Sequence, residues 1–343
     1  MKLSVLDQSP IISGHSAAQA IDETLKLARR AEELGYSRYW LAEHHAIAAL
    51  ADPCPEILLA RLGAETKRIR IGSGGVLLPY YTAFKMAEVF RMLEAMYPGR
   101  MDFGIGRAPG GDRRTAQAVG GGKMPTAEDF PQQVWELIGH FDNNLPADHP
   151  FKRVKVQPEG PVSPATPELW LLGSSDYSGM LAAQLGVRFA FAHFINAEGG
   201  DAVMRAYKQR FQARPPEETG PAPRETAPHT IVCVFVICAR DDDEAERRAR
   251  VIDLRRIHMA LGQDMPVPTL EEAQKRSFSQ EELQYIRSQR PRAVIGGPQT
   301  CREKLTELAE RYSADELMVL TITGDYASRT ESYERLAEAF KLG

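Results

Sequence analysis

The sequence predicts an α/β chain closed into a (β/α)8 TIM barrel, and three observations carry that prediction. Eight short apolar runs alternate with amphipathic helical segments, the pattern of parallel strands joined by crossover helices. Eight such units match the count at which a parallel sheet closes on itself with its helices outside. The residues after the first run, Asp7-Gln8-Ser9-Pro10, hold no glycine cluster. An open doubly wound sheet would carry a phosphate loop there.

The first run is Leu3–Leu6. Ser16 and Gln19 have capping-box spacing and open a helix whose apolar face is Ile21, Leu25, Ala28 and Ala31. Gly35 stands where a left-handed cap would end it. Tyr39–Ala42 is the second run, with a helix around Glu56–Thr66. Ile69–Leu78 is the third, and its helix, Ala83–Met96, stops at Pro98 and Gly99. Met101–Ile105 is the fourth. A long connection follows, with a helix at Phe130–Phe141 and a Pro-rich tract to Pro167. The later runs are Leu169–Leu172, Arg188–Phe194, Thr230–Cys238 and Leu317–Ile322. Their helices are placed at Ser178–Leu185, Asp201–Phe211, Asp243–Leu261 and Ser328–Phe340.

A barrel of this kind needs about 250 residues, and the chain has 343. The expectation is one domain over 1–343, with insertions near 108–166, after strand 4, and 263–297, before strand 8. Ser279 and Glu282 repeat the capping-box spacing inside the second insertion, and another helix opens near Pro298. Arg214–Pro228, rich in Pro and Glu, reads as an exposed loop.

Hydrophobic residues make up 43% and charged residues 26%, a soluble globular profile. A net charge of −4 gives no reason to expect nucleic acid as a partner. Of the four cysteines none forms a C-x-x-C pair, and Cys233 and Cys238 lie in an apolar run. Free buried thiols and a reducing, cytoplasmic setting are expected. Met1–Pro10 lacks signal-peptide features, and no apolar run nears the roughly 20 residues of a membrane helix.

Barrel active sites lie at the carboxyl ends of the strands. Glu43-His44-His45 ends the second run, and a histidine there could move protons near neutral pH. Alternation puts Glu43 and His45 on one side and His44 on the other. The third run carries Gly72-Ser73-Gly74-Gly75, which calls for a bulge, a bend or the close approach of a flat ligand. The fourth reads Phe103-Gly104-Ile105-Gly106-Arg107, leaving space on one face and an arginine at the mouth for a phosphate or carboxylate. After the fifth come Gly173-Ser174-Ser175-Asp176-Tyr177-Ser178 and a helix start. Those serines cap the helix or, with its free N–H groups, hold an anion. Together the segments suit a flat, phosphorylated cofactor such as FMN.

These segments carry a family resemblance. Leu3–Pro10, Tyr39–His45, Ile71–Val76, Phe103–Gly110 and Leu171–Ser175 resemble, in order, the luciferase-like monooxygenases, and within them the MsnO8-like branch. The resemblance implies externally supplied reduced FMN, molecular oxygen, a C4a-peroxyflavin and a small organic substrate. It implies His44 as the proton-transfer residue. The positions matching the flavin set are Gly74, Gly75, Gly106, Arg107, Ala108, Ser174, Ser175 and Ser178, and no metal is implied. Arg107 and the three serines match phosphate-binding positions, and the segment of Gly74 and Gly75 can hold a cis peptide under the ring. A homodimer packed through barrel helices is implied as well. The absence of a nicotinamide fingerprint points to a separate flavin reductase. The 263–297 insertion matches luciferase's mobile active-site loop. Where bacterial luciferase has a cysteine near the reactive flavin carbon, this chain has Gly106, which argues against light emission.

Three other readings stay open. The deazaflavin F420 could replace FMN on the same phosphate site. The chain could bind flavin without turnover. A metal-dependent hydrolase would draw ligands from Glu43, His44, His45, Asp52 and His193, but adjacent histidines are not a metal motif.

Overall fold

The structure is a computed structural model; it describes residues 1–343 except 109, 123, 125, 127, 160–165 and 215–224. The first apolar run buries both of its faces, as strands of a parallel sheet covered by helices must. It forms β1 (Lys2–Asp7), exposed at its first residue alone. The barrel continues through β2 (Arg38–Leu41), β3 (Arg70–Leu77), β4 (Met101–Gly106), β5 (Glu168–Gly173), β6 (Arg188–Ala192) and β7 (Thr230–Cys238). An extra strand, β8 (Ala293–Gly296), precedes the closing strand, β9 (Glu316–Leu320). Every pairing between these strands is parallel, and β9 pairs with both β1 and β7, which closes eight strands into the barrel.

The helices that cover the barrel are α1 (Ala17–Glu33), α2 (Pro55–Glu65), α3 (Ala83–Met96), α6 (Asp176–Leu185), α7 (Gly200–Arg210), α8 (Asp242–Ala260), α11 (Pro298–Tyr312) and α12 (Tyr326–Phe340). The long connection after β4 holds α4 (Arg113–Val119) and α5 (Phe130–Asp142); the one after α8 holds α9 (Leu270–Lys275) and α10 (Gln280–Gln289). Both predicted capping boxes form, Ser16 with Gln19 and Ser279 with Glu282. Most of the expected Arg214–Pro228 loop lies outside the described residues.

The segment 263–297 holds a strand besides its helices, for it ends in β8, which lies beside β7. β6 pairs with Thr230–Cys233 of β7, and β8 with Phe235–Cys238. The nine-residue β7 thus outreaches β6, and β8 covers the extra length. Ala293–Gly296 is too short to show a period and is bounded by Pro291 and Pro298, so its local sequence reads as loop.

Alternation sorts the strand residues into two cores. Leu3, Val5, Tyr39, Leu41, Ile71, Phe103 and Ile105 pack outward against the helices. Leu6, Trp40, Trp170, Ala190, Cys233 and Met318 face the barrel interior. Below that inner layer lies a buried ionic cluster. Arg38 Nη1 donates to Asp102 Oδ2 at 2.8 Å and Glu168 Oε2 at 2.9 Å, and its Nε to Glu316 Oε2 at 3.1 Å. Arg70 Nη2 donates to the other Asp102 oxygen at 2.6 Å, and Arg188 pairs with Glu168. The partners come from β2, β3, β4, β5, β6 and β9, so the cluster spans the barrel. Asp102 and Glu316 are fully buried.

Deleting one partner of a buried ion pair leaves the others desolvated and costs about 3–5 kcal/mol. Arg38→Met should therefore lower unfolding free energy in urea at pH 7 by about that much. A loss under about 1 kcal/mol would show that Arg70 and Arg188 neutralise the three carboxylates without it.

Candidate active site

A cavity of about 290 Å³ opens at the carboxyl ends of the strands. Its floor is the inner layer: Leu6, Trp40, Ala190, Cys233 and Met318. Trp40 is held there by its Nε1–H, which donates to Asp102 Oδ2 at 2.8 Å, and Trp170 packs edge-on against it with ring centroids 5.3 Å apart. His44, Gly74, Gly75, Gly106, Arg107, Ala108, Ser174, Ser175 and Ser178 all line this one cavity. The residues singled out from the sequence, though distant along the chain, are brought together on one rim.

Each reaches it for a local reason. The register of β3 against β4 shifts between Ser73 and Val76, and the Gly74–Gly75 peptide is cis. A Cβ on Gly75 would stand 2.8 Å from the Gly104 carbonyl, and one on Gly74 would stand 2.7 Å from Leu6 Cδ1. The glycines of β3 therefore answer first to close packing of β3 on its neighbours, and in doing so leave a low wall. At Gly106 a Cβ would meet nothing within 4 Å, so this position opens onto free space.

Arg107 lays its guanidinium over the Tyr177 ring, 4.3 Å from the centroid. That contact ties the end of β4 to the first turn of α6. No carboxylate pairs with Arg107 among the described residues. Ser175 is the N-cap residue of α6, yet its hydroxyl makes no capping bond. Asp176 is exposed, and its carboxylate accepts from the Tyr177 N–H at 2.8 Å. The result is an unpaired cation beside a helix start with free serine hydroxyls, which is an anion-binding arrangement.

The alternation predicted after β2 holds. Glu43 is buried and accepts from the Leu77 N–H and the Tyr81 hydroxyl, each at 2.8 Å, and bonds His45 Nε2 at 2.7 Å. It braces the ends of β2 and β3 and has no oxygen to spare for chemistry. His44 points the other way, into the cavity, and its Nδ1 is buried without a partner among the described residues. Burial pulls its pKa down to about 4, with the positive charge of Arg255 adding to the effect, so the imidazole is neutral at physiological pH.

The metal reading finds no support in this geometry. His193 is turned to the Tyr312 hydroxyl at 2.9 Å and the Pro291 carbonyl at 3.0 Å. Burial pushes the Asp52 carboxyl up to about 7. Among the described residues no group of three or more His, Cys, Asp or Glu side chains could hold a metal ion.

Sequence reasoning missed a second cavity of about 320 Å³ that shares Gln8, His44, Phe194 and Ile195 with the first. Its far wall is α8, the loop 263–265, α10 and Arg292. The α8 residues of that wall have no strand-end position to mark them, whereas the 263–297 part of it was expected near the site from the resemblance.

The family model for luciferase-like monooxygenases matches residues 1–315. The Escherichia coli K12 luciferase-like monooxygenase is 34% identical over 96% of this chain and 94% of its own length. The N-acetyl-S-alkylcysteine monooxygenase of Bacillus subtilis is 33% identical over 99% of this chain and 98% of its own. The solved structure of apo-MsnO8 superposes with a TM-score of 0.86 at 38% identity, covering 100% of this chain and 99% of that one. At the level of fold alone, the barrel is shared by a type II Baeyer–Villiger monooxygenase of Pseudomonas putida in complex with FMN (TM-score 0.69, 20% identity) and by an F420-dependent secondary alcohol dehydrogenase (0.63, 14%). With its closed parallel barrel and these relatives along its full length, the chain belongs to the luciferase-like monooxygenase family.

Proposed function

We propose that the protein is an FMN-dependent monooxygenase that takes reduced FMN from a separate reductase and oxygenates a small organic substrate with molecular oxygen. The observation that carries this reading is the convergence of glycines, serines and an unpaired arginine on one cavity. The residues present fit FMN. Gly74, Gly75 and Gly106 give a wall without side chains for a planar ring. Arg107, Ser174, Ser175, Ser178 and the start of α6 give an anion cradle for its phosphate. Bound and reduced, FMN would supply two electrons to molecular oxygen, one oxygen atom passing to the substrate and the other leaving as water.

The chain's own residues then have definite tasks. Arg107 fixes the phosphate end through charge-assisted hydrogen bonds. The apolar floor of Leu6, Trp40, Cys233 and Met318 keeps water from the reacting end, where it would compete with the substrate. His44, neutral and unpartnered at Nδ1, can accept a proton there and return it. The 263–297 segment walls the adjoining cavity, consistent with a lid role. A homodimer fits exposed Ile57 on α2 and Met92 and Met96 on α3, three large apolar side chains left in solvent. The four cysteines are free, in keeping with a cytoplasmic setting.

Anaerobic titration with reduced FMN and reduced F420, side by side, tests the cofactor. Saturable binding of reduced FMN is expected; binding of F420 alone would replace FMN, and binding of neither would remove the flavin reading. Incorporation of label from ¹⁸O₂ into an organic product separates oxygenation from flavin storage. Arg107→Ala should weaken reduced FMN roughly 10- to 100-fold, the loss of charge-assisted bonds worth about 1.5–3 kcal/mol. The same change should leave reduced riboflavin, which lacks the phosphate, within about twofold. The His44 imidazole should stay neutral from pH 8 down to about 5, because its folded pKa lies below the ordinary value. Its stabilising effect is then complete above the ordinary histidine pKa and lost as pH falls toward 4. NMR of the ring protons, assigned with His44→Gln, should show no titration between pH 8 and 5.5; a midpoint near 6.5 would contradict it.

A further inference from the structure

The second cavity carries a charge that the fold leaves unanswered. Arg255 on α8 lines it, partly buried, and no hydrogen bond or ion pair to Arg255 exists among the described residues. Its Nε is shielded from solvent and has no partner. Burial, together with the neighbouring positive charge of Arg256, lowers its pKa to about 10.

Asp253 and Asp264 each hold another partner through one carboxylate oxygen, and the second oxygen of Asp253 is buried without one among the described residues. Asp253 pairs with Arg290 at 2.7 Å. Asp264, the carboxylate on the cavity wall, accepts the Ala48 N–H at 2.8 Å. The other cations of the wall are Arg256 and Arg292, the latter also without a hydrogen bond or ion pair among the described residues, and His258 lines the wall as well. Arg256 is partly occupied, donating to the Gln289 carbonyl at 3.4 Å and lying 5.7 Å from the Phe235 ring centroid. Between these charges the lining is apolar, with Ile252, Met259, Met265 and Leu320.

A partly desolvated guanidinium with no paired carboxylate is costly, and its fork of donors matches a carboxylate. The cavity meets the flavin cavity at His44, on which the Arg255 charge acts. We infer that the second cavity binds the organic substrate, and that this substrate is an amphiphilic acid whose carboxylate or sulfonate is held by Arg255. Its apolar part lies along Ile252, Met259 and Leu320 and carries the reacting atom past His44 toward the first cavity. The inference names the substrate class of the proposed monooxygenase and so rests on that reading.

The test uses the whole chain and matched probes: octanoate, octanesulfonate, octanamide and octylamine. Calorimetry should show octanoate or octanesulfonate binding at least tenfold more tightly than octanamide, with octylamine weakest. Arg255→Met should erase that preference, and Arg255→Lys should keep part of it. Unliganded Arg255→Met should melt no lower than the parent, since it removes a charge with no partner, but should lose the rise in Tm that octanoate gives. Equal binding of octanoate and octanamide by the parent, or an undiminished preference in folded Arg255→Met, overturns the inference. Reduced FMN titrated into both proteins in parallel keeps the cases apart: acid selectivity without flavin binding removes the proposed function, and flavin binding without acid selectivity removes this inference.

Discussion

The buried ionic cluster around Arg38 is the constraint on which the rest of the barrel depends. Ions of both signs are removed from water at the amino ends of the strands, and that is tolerable because each carboxylate is met by a guanidinium at hydrogen-bonding distance. Arg38 on β2 reaches carboxylates on β4, β5 and β9, none of which is a neighbour of β2 in the sheet. The cluster therefore ties the barrel across its interior, where backbone hydrogen bonds link neighbours alone. It also bears on the cavity above, because Asp102 accepts both the Arg38 guanidinium and the indole N–H of Trp40. The floor of the candidate active site is thus held in place from below.

Two kinds of arginine placement bear on the two cavities. Arg38, Arg70 and Arg329 are matched by buried carboxylates; Arg329 reaches Asp7 at 2.5 Å. Arg107 and Arg255 are matched by none among the described residues, and each lines a cavity at the carboxyl ends of the strands. The paired cations tie elements of the fold together, and the two unpaired ones are the positions at which the proposed anions would bind. On this reading one anion is a cofactor phosphate and the other a substrate acid, with His44 at the junction of the two cavities.

Glycine placement shows how packing and function share residues. Gly75 is required because the Gly104 carbonyl sits where its side chain would go, a demand of β3 on β4. Gly106 meets no such demand, and the space it leaves belongs to the cavity. The same contrast separates Glu43 from His44. The glutamate is consumed by bracing two strand ends, while the adjacent histidine, on the opposite side of the strand, keeps its Nδ1 without a partner among the described residues.

The barrel was legible because its evidence is local. Alternation of apolar residues, helix caps such as Ser16 with Gln19, and strand-end motifs such as Gly106-Arg107 are written within a few residues of one another. The rim residues were also legible, since a parallel barrel places every strand's carboxyl end at the same mouth. Four-residue β8 was not, because so short a run shows no period and takes its strand conformation from the exposed length of β7. Nor was the second cavity, since nothing near Arg255 in the chain says that its charge has no partner. The sequence alone determined which side chains could meet at the mouth; only the tertiary structure decided which charges were left uncompensated, because charge pairing depends on distances between residues far apart in the chain.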